Sequence, residues 1–353
     1  MILPEVNLVG QVMERRYRVE ALIGRGSMGV VYRARHVKVG REVAIKVLHA
    51  HLVRDPSMVA RFEREAAVLA RLHHKNLVHV IDVGETPARQ RLMVLDLVRG
   101  ESLSSIIASG PLGHERAQNL LKQLLQGLEH AHAAGLVHRD LKPDNVIVER
   151  DPDGVEIPRI VDFGIAVPCA RSGSGGSGGS RRRITETGLV LGTPAYMAPE
   201  QAHGGDPDPR TDLFALGVMA YEMLAGVQPF DGSGLDVIVA NLSKDPPPIH
   251  ERASGVAVDP LLEAFARRLM AYDLAERFPS AHAALEALAL IERDREAAAE
   301  AFGLVTDMDR AATARLRCPA LHRRTRWRPR AAALLGCAIF LGAAALAFML
   351  VAG

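Results

Sequence analysis

The chain has 353 residues, 48% of them hydrophobic and 24% charged, with a formal net charge of +2 at pH 7. This composition supports globular folding with ample core and allows about two domains, while a balance so near neutrality gives no reason to expect nucleic acid as a partner. Three widely spaced cysteines, Cys169, Cys318 and Cys337, make neither a disulfide framework nor a zinc pattern, and the N-terminus lacks the basic-then-apolar pattern of a secretory signal.

Residues 1–16 read as a short leader. From 17 to 46 the chain alternates as a strand meander interrupted by glycines. A helical pattern over 56–72 places Phe62, Ala66, Leu69 and Leu72 on one side, with Arg61, Glu63, Arg64 and Glu65 between them. Strand-like runs recur at 77–84 and 91–98. A long amphipathic helix is predicted over 114–134, ending at Gly135. Short strands at 146–149 and 159–162 flank the turn Asp151-Pro152-Asp153-Gly154. The glycine/serine tract 172–180 cannot pack and reads as a loop. Past Pro209 the pattern is mostly helical to about 300. Strands first and helices later predict an α+β arrangement of two unequal lobes. Fourteen histidines are present, but the pairs His73/His74 and His130/His132 lack a metal-site pattern with Cys or Glu.

The C-terminal part changes character. Eight arginines and no acidic residue lie between 310 and 330, and 331–353 then runs without a charge. That stretch is long enough to cross a bilayer core of ~30 Å as a helix. The arginines on its N-terminal side place the preceding domain in the cytoplasm by the positive-inside rule, with Trp327 near the headgroups. A single-pass anchor in the cell membrane is therefore expected over 331–353. Residues 291–330 form a juxtamembrane linker whose arginines also meet anionic lipid. The span closes the sequence, so no extracytoplasmic sensor is expected.

The chemistry concentrates in a few segments. His138-Arg139-Asp140-Leu141-Lys142-Pro143-Asp144-Asn145 sets a carboxylate, an ammonium and an amide within eight residues. That set suits phosphoryl transfer to a hydroxyl, with Asp140 taking the proton, Lys142 neutralising developing phosphate charge and Asn145 ligating a metal. Seventeen residues past Asn145 comes Asp162-Phe163-Gly164, a second carboxylate on a glycine-ended turn. Gly24-Arg25-Gly26-Ser27-Met28-Gly29 lies between strand-like runs rather than at a helix start. This disfavours a dinucleotide-binding reading and suits a hairpin whose backbone approaches phosphates. Lys46 ends the apolar run Val43-Ala44-Ile45, and Glu63 and Glu65 on the next helix are both candidates to hold it.

These motifs, in this order over about residues 17–290, resemble the eukaryotic-type serine/threonine protein kinases of bacteria. The resemblance implies a bilobal protein kinase fold, with a β-rich N-lobe over about 17–98 and a helical C-lobe over about 99–290. It implies ATP as phosphoryl donor with Mg2+, or Mn2+ in its place, and proteins as acceptors. By the same resemblance Gly24, Gly26, Gly29 and Lys46 hold phosphates, and Val31, Ala44 and Ile147 enclose adenine. Leu95 is the gatekeeper, and the backbone around Asp96 and Val98 bonds the base. Glu65, preceding the small Ala66, is selected as the partner of Lys46, which leaves Glu63 a solvated charge. Asp162 is expected to chelate one magnesium and Asn145 a second.

Gly192-Thr193-Pro194-Ala195-Tyr196-Met197-Ala198-Pro199-Glu200 resembles the peptide-positioning end of an activation segment. It implies Thr193 bonded to Asp140 and Lys142, an ion pair between Glu200 and Arg277, and Asp212 as anchor of the catalytic-loop backbone. Thr185 and Thr187 match the threonines that become phosphorylated, with an unneutralised Arg139 as docking site for the phosphate. A lysine two positions after the catalytic aspartate is the serine/threonine arrangement. The resemblance also leaves room for a kinase-domain homodimer. A membrane-anchored pseudokinase scaffold is the alternative, and the intact Lys46, Asp140, Asn145 and Asp162 argue against it. A small-molecule phosphotransferase would not need the segment 192–200.

Overall fold

A computed structural model describes residues 7–26, 28–163 and 194–304. The described residues up to Phe302 form one compact unit. The N-terminal lobe is a six-stranded antiparallel sheet with order β1-β2-β3-β4-β6-β5. Its strands are β1 (Val12–Met13), β2 (Tyr17–Arg25), β3 (Gly29–His36), β4 (Glu42–Leu48), β5 (Val80–Glu85) and β6 (Arg91–Asp96). The period-two pattern decides which face is buried. Val30, Tyr32 and Ala34 of β3 join Val43, Ile45 and Val47 of β4 and Leu92 and Val94 of β6 in one core. Helix α1 (Pro56–Leu69) starts where the Asp55 carboxylate accepts the Ser57 amide at 2.9 Å, and it buries Phe62, Ala66 and Leu69.

Of the segment read as a leader, the described residues 7–16 are part of this lobe. Leu8 and Met13 are buried in the sheet core. Arg16 pairs with Asp82 of β5 at 2.6 Å, and Glu14 accepts the Glu85 amide at 2.7 Å. The β1–β2 turn is thus tied to the strand at the opposite edge of the sheet. A side chain at Gly84 would meet the Glu14 carboxylate at 2.2 Å, so this tie requires glycine there.

The C-terminal lobe packs helices around α5 (Pro209–Ala225), which is buried nearly all round, as expected of a helix at the centre of a domain. Helix α3 (His114–Ala133) lies against it and ends at Gly135 in the left-handed region. Shorter helices α2 (Leu103–Ala108) and α4 (Pro199–Ala202) precede α5. Helices α6 (Gly234–Ser243), α7 (Ile249–Arg252), α8 (Pro260–Leu269), α9 (Ala281–Arg293) and α10 (Arg295–Ala301) follow it. A three-stranded sheet is formed by β7 (Glu101–Ser102), β8 (Val146–Arg150) and β9 (Glu156–Ile160), with α2 and α3 falling between β7 and β8 in sequence. Strand β9 was expected at 159–162 but ends at Ile160. Val161 keeps the β8–β9 register for one more position, its amide donating to the Asn145 carbonyl at 2.9 Å, and the strand stops because Asp162 turns into the left-handed region at φ 57°. Ile160 is also bonded to the connection before β5, through Val78 N–H to its carbonyl at 3.0 Å and its own N–H to the Asn76 carbonyl at 2.8 Å. The start of the Asp162 turn is thereby fixed to both lobes.

Among the described residues no helix is long and apolar enough to cross a membrane. The expected span 331–353, most of the 291–330 linker and the 172–180 tract lie outside the described residues.

Candidate active site

The loop after α3 is held from below by Asp212, in the first turn of α5 and 1% exposed. Its two oxygens accept the His138 and Arg139 amides, each at 2.8 Å, and His132 Nε2 bonds it at 2.8 Å. Burial would raise the Asp212 carboxyl, but the His132 hydrogen bond and the nearby imidazoles outweigh it and hold it low. Arg139 sits at φ 66°, a region that non-glycine residues rarely occupy. Asp140 follows, with Lys142 Nζ 3.3 Å from its Oδ2. Pro143 opens a short 3-10 turn that ends at Asn145. Asn145 Nδ2 donates to the Asp140 carbonyl at 2.7 Å and reaches its Oδ2 at 3.4 Å.

Asp162 is brought to the same place. His138 Nε2 bonds the Val161 carbonyl at 3.1 Å, and the His138 ring packs on Phe163 with centroids 4.7 Å apart. Across the cleft Lys46, 6% exposed, donates to Asp162 Oδ1 at 2.8 Å. Burial would raise the Asp162 carboxyl, and the Lys46 ammonium outweighs it.

The expected Lys46–Glu65 pair is not formed. Burial pushes Glu65 up to about 7, against the pull of Arg139 first and then Arg61 and Lys46. The Lys46 ammonium is instead bonded to Asp162. Nor is Arg139 unneutralised as expected, since it is the strongest charge acting on Glu65. Glu63 is exposed but ion-paired to Arg91 at 3.0 Å rather than simply solvated.

On the nucleotide side, Val31 is paired with Lys46 across β3–β4, and Ala44 with Leu95 across β4–β6. Ile147 lies on β8, opposite Ser102. The Asp96 amide is committed to the His79 carbonyl at 3.0 Å, so an adenine amino group would meet Asp96 through its carbonyl. Val98 lies two residues beyond β6, in the connection to β7. Gly100 there passes so close to β8 that a Cβ would lie 2.1 Å from the Val148 carbonyl.

The expected Glu200–Arg277 ion pair is present and bidentate, with both N···O distances 2.8 Å. Burial would raise Glu200, but the Arg277 hydrogen bonds hold it below its ordinary value. Thr211 adds a hydrogen bond at 2.9 Å. Thr193, Thr185 and Thr187 lie outside the described residues.

The protein kinase domain family matches residues 17–287 of this chain. The chain belongs to that family. It is 37% identical over 289 residues to serine/threonine-protein kinase pkn3 of Myxococcus xanthus, covering 81% of this chain and 52% of that one. It is 40% identical over 245 residues to serine/threonine-protein kinase PknA of Mycobacterium tuberculosis, covering 68% and 54%. Among solved structures, the kinase domain of Mycobacterium tuberculosis PknI matches with a TM-score of 0.61 at 28% identity, over 80% of this chain and 99% of that one. The chain spans about half the length of these curated relatives.

In this kinase domain the donor set fits a nucleotide with a hard cation. Asp162 and Asn145 offer oxygen ligands of the kind magnesium prefers, and Asn145 turns its Nδ2 toward Asp140. Of the three motif glycines, only Gly29 is demanded by the chain itself, since a Cβ there would lie 2.1 Å from the Val47 carbonyl. Gly24 and Gly26 meet nothing closer than 3.8 Å, so a partner outside the chain accounts better for their missing side chains. Two residues of the site went unnoticed in the sequence. His132 supports Asp212, and Gln201 donates to the Arg139 carbonyl at 2.8 Å. Neither has a local pattern that announces its partner.

Proposed function

We propose that this chain is a serine/threonine protein kinase that transfers the γ-phosphoryl group of ATP to serine or threonine hydroxyls of proteins. The observation that carries this reading is the convergence of Asp140, Lys142, Asn145, Asp162 and Lys46, from three separate segments, on one cleft. Asp140 accepts the hydroxyl proton as the oxygen attacks the γ-phosphorus. The bond from that phosphorus to the β,γ-bridging oxygen breaks, and ADP leaves. Lys142, beside Asp140, neutralises charge on the transferred group. Lys46 and the glycine hairpin hold the remaining phosphates; Asp162 and Asn145 would hold magnesium, which would supply charge neutralisation there. Lys142 two positions after Asp140 and the names of the curated relatives favour serine and threonine as acceptors.

Phosphorylation at Thr185 and Thr187 belongs to the same proposal. A phosphothreonine carries nearly two negative charges and would compete with Glu65 for Arg139, freeing Glu65 toward Lys46. ATP is the donor of that phosphate, with ADP leaving, and a second copy of the domain is the proposed catalyst of the transfer. The chain is further proposed to be held at the inner face of the cell membrane by 331–353, on the strength of that uncharged stretch and the arginines before it. Flotation of the full chain with anionic vesicles, beside a chain ending at 304, tests this, and equal behaviour of the two overturns it.

The first experiment is transfer of radiolabelled phosphate from ATP by the full chain, beside Asp140→Asn, with the labelled sites mapped. Label on protein acceptors in the wild type alone supports the kinase, and label on Thr185 or Thr187 supports the switch. No label in either protein, with folding verified, turns the reading to a scaffold.

A further inference from the structure

Gln201 bridges two parts of the site. Its Oε1 accepts the Ala198 amide at 3.1 Å, and its Nε2 donates to the Arg139 carbonyl at 2.8 Å. The first bond is half of a capping box, with the third residue of α4 reaching back to the N-cap amide. Ala198 has no side-chain oxygen, so the other half is not made. Capping therefore accounts for Oε1 and leaves Nε2 without a reason.

The reason lies at Arg139. This residue precedes Asp140 and holds a left-handed backbone that its surroundings must stabilise. Its amide is bound to Asp212 of α5 and its carbonyl to Gln201 of α4. The Arg139 carbonyl belongs to the planar peptide that carries the Asp140 amide, so fixing that oxygen fixes the direction in which Asp140 leaves the loop. The other end of the same carboxamide holds Ala198, in the segment that leads from Ala195 to Glu200.

We infer that Gln201 is a positioning residue that couples the peptide-facing end of the activation segment to the peptide plane aiming Asp140. This inference rests on the kinase reading above. Gln201→Glu separates the two roles. Glutamate at this position caps the helix as well as glutamine and adds a favourable charge in the first turn. Its carboxylate has no proton for the Arg139 carbonyl, whereas the protonated acid does.

The test is steady-state transfer to a protein acceptor by the full chain, with Asp140→Asn as blank. For Gln201→Glu the expected result at about pH 8 is a kcat lower by about tenfold, with the KM for ATP within about twofold and the thermal midpoint unchanged. The deficit relative to wild type should shrink as the pH is lowered toward about 5, where a growing fraction of the acid takes up its proton. A kcat equal to wild type overturns the inference, and so does a loss that tracks a lowered midpoint and ignores pH. If Gln201→Glu folds poorly, Gln201→Lys, which keeps a donor, is compared with Gln201→Met, which has none. A lysine variant no more active than the methionine variant overturns the inference. Absence of transfer in the wild type overturns the kinase reading itself, and this inference with it.

Discussion

Replacing Arg277 by methionine removes the most heavily bonded side chain in the C-terminal lobe at little change in volume. Arg277 is fully enclosed and donates five hydrogen bonds, two to Glu200 and one each to the carbonyls of Arg210, Ala271 and Tyr272. In Arg277→Met the Glu200 carboxylate keeps Thr211 as a neutral donor but loses its counter-charge. Breaking a buried pair from one side costs about 3–5 kcal/mol, on the order of 10 °C in thermal midpoint for a domain of this size. The sign of the pH dependence follows from Glu200. In the wild type its pKa is held below the ordinary value, so its contribution is present at neutral pH and is lost as pH falls through that lowered value. In the variant the stranded carboxyl is raised, and acid relieves its penalty by protonating it. The gap between wild type and Arg277→Met should therefore be largest near about pH 7.5 and narrow toward about pH 4.5. Urea unfolding followed by far-ultraviolet circular dichroism at the two pH values measures it. A gap under about 1 kcal/mol at the higher pH, or one that does not narrow, refutes the reasoning. The double variant Glu200→Gln with Arg277→Met should recover part of the loss, because no charge then remains buried.

Two further outcomes are expected. Glu65 is raised to about 7 by burial, so the wild type loses stability as pH climbs from about 4.5 toward 7; discounted for partial exposure, the loss is about 1–2 kcal/mol. Glu65→Gln should not show it, and equal slopes of stability against pH in the two proteins would count against the burial assigned here. Gly217 of α5 faces α8 so closely that a Cβ would lie 2.7 Å from Leu269 Cβ and 2.9 Å from the Met270 amide nitrogen. Gly217→Ala should cost about 1–3 kcal/mol by overpacking, and an unchanged thermal midpoint would show that the helices have room to separate.

Much of the architecture was legible from residue pattern. The alternation over 17–46 became β2, β3 and β4, and the helical periods around 56–72 and 114–134 became α1 and α3, because burial of one face repeats every second residue in a strand and every third or fourth in a helix. Boundaries were less legible, as the early end of β9 shows. That strand stops where the backbone turns left-handed at Asp162, whose carboxylate is bonded by Lys46, 116 residues away in sequence. The leader was misjudged for a similar reason. Glu14 and Arg16 look solvated until β5, some seventy residues on, supplies the Glu85 amide and Asp82.

The amino-acid sequence by itself singled out the groups to which chemistry is assigned under the proposed function, because Asp140, Lys142, Asn145 and Asp162 sit in short segments whose spacing is local. It also carried the Glu200–Arg277 pair, through the resemblance of the two segments that hold those residues. Only the tertiary structure decided who pairs with whom among several like charges. Lys46 had two glutamates to choose from nearby on α1 and took Asp162, 116 residues away in sequence. Arg139 acts on Glu65, and Gln201 closes on the Arg139 carbonyl. Ion pairs and single hydrogen bonds depend on distance and burial at the ångström scale, and folding sets both only after the elements have packed.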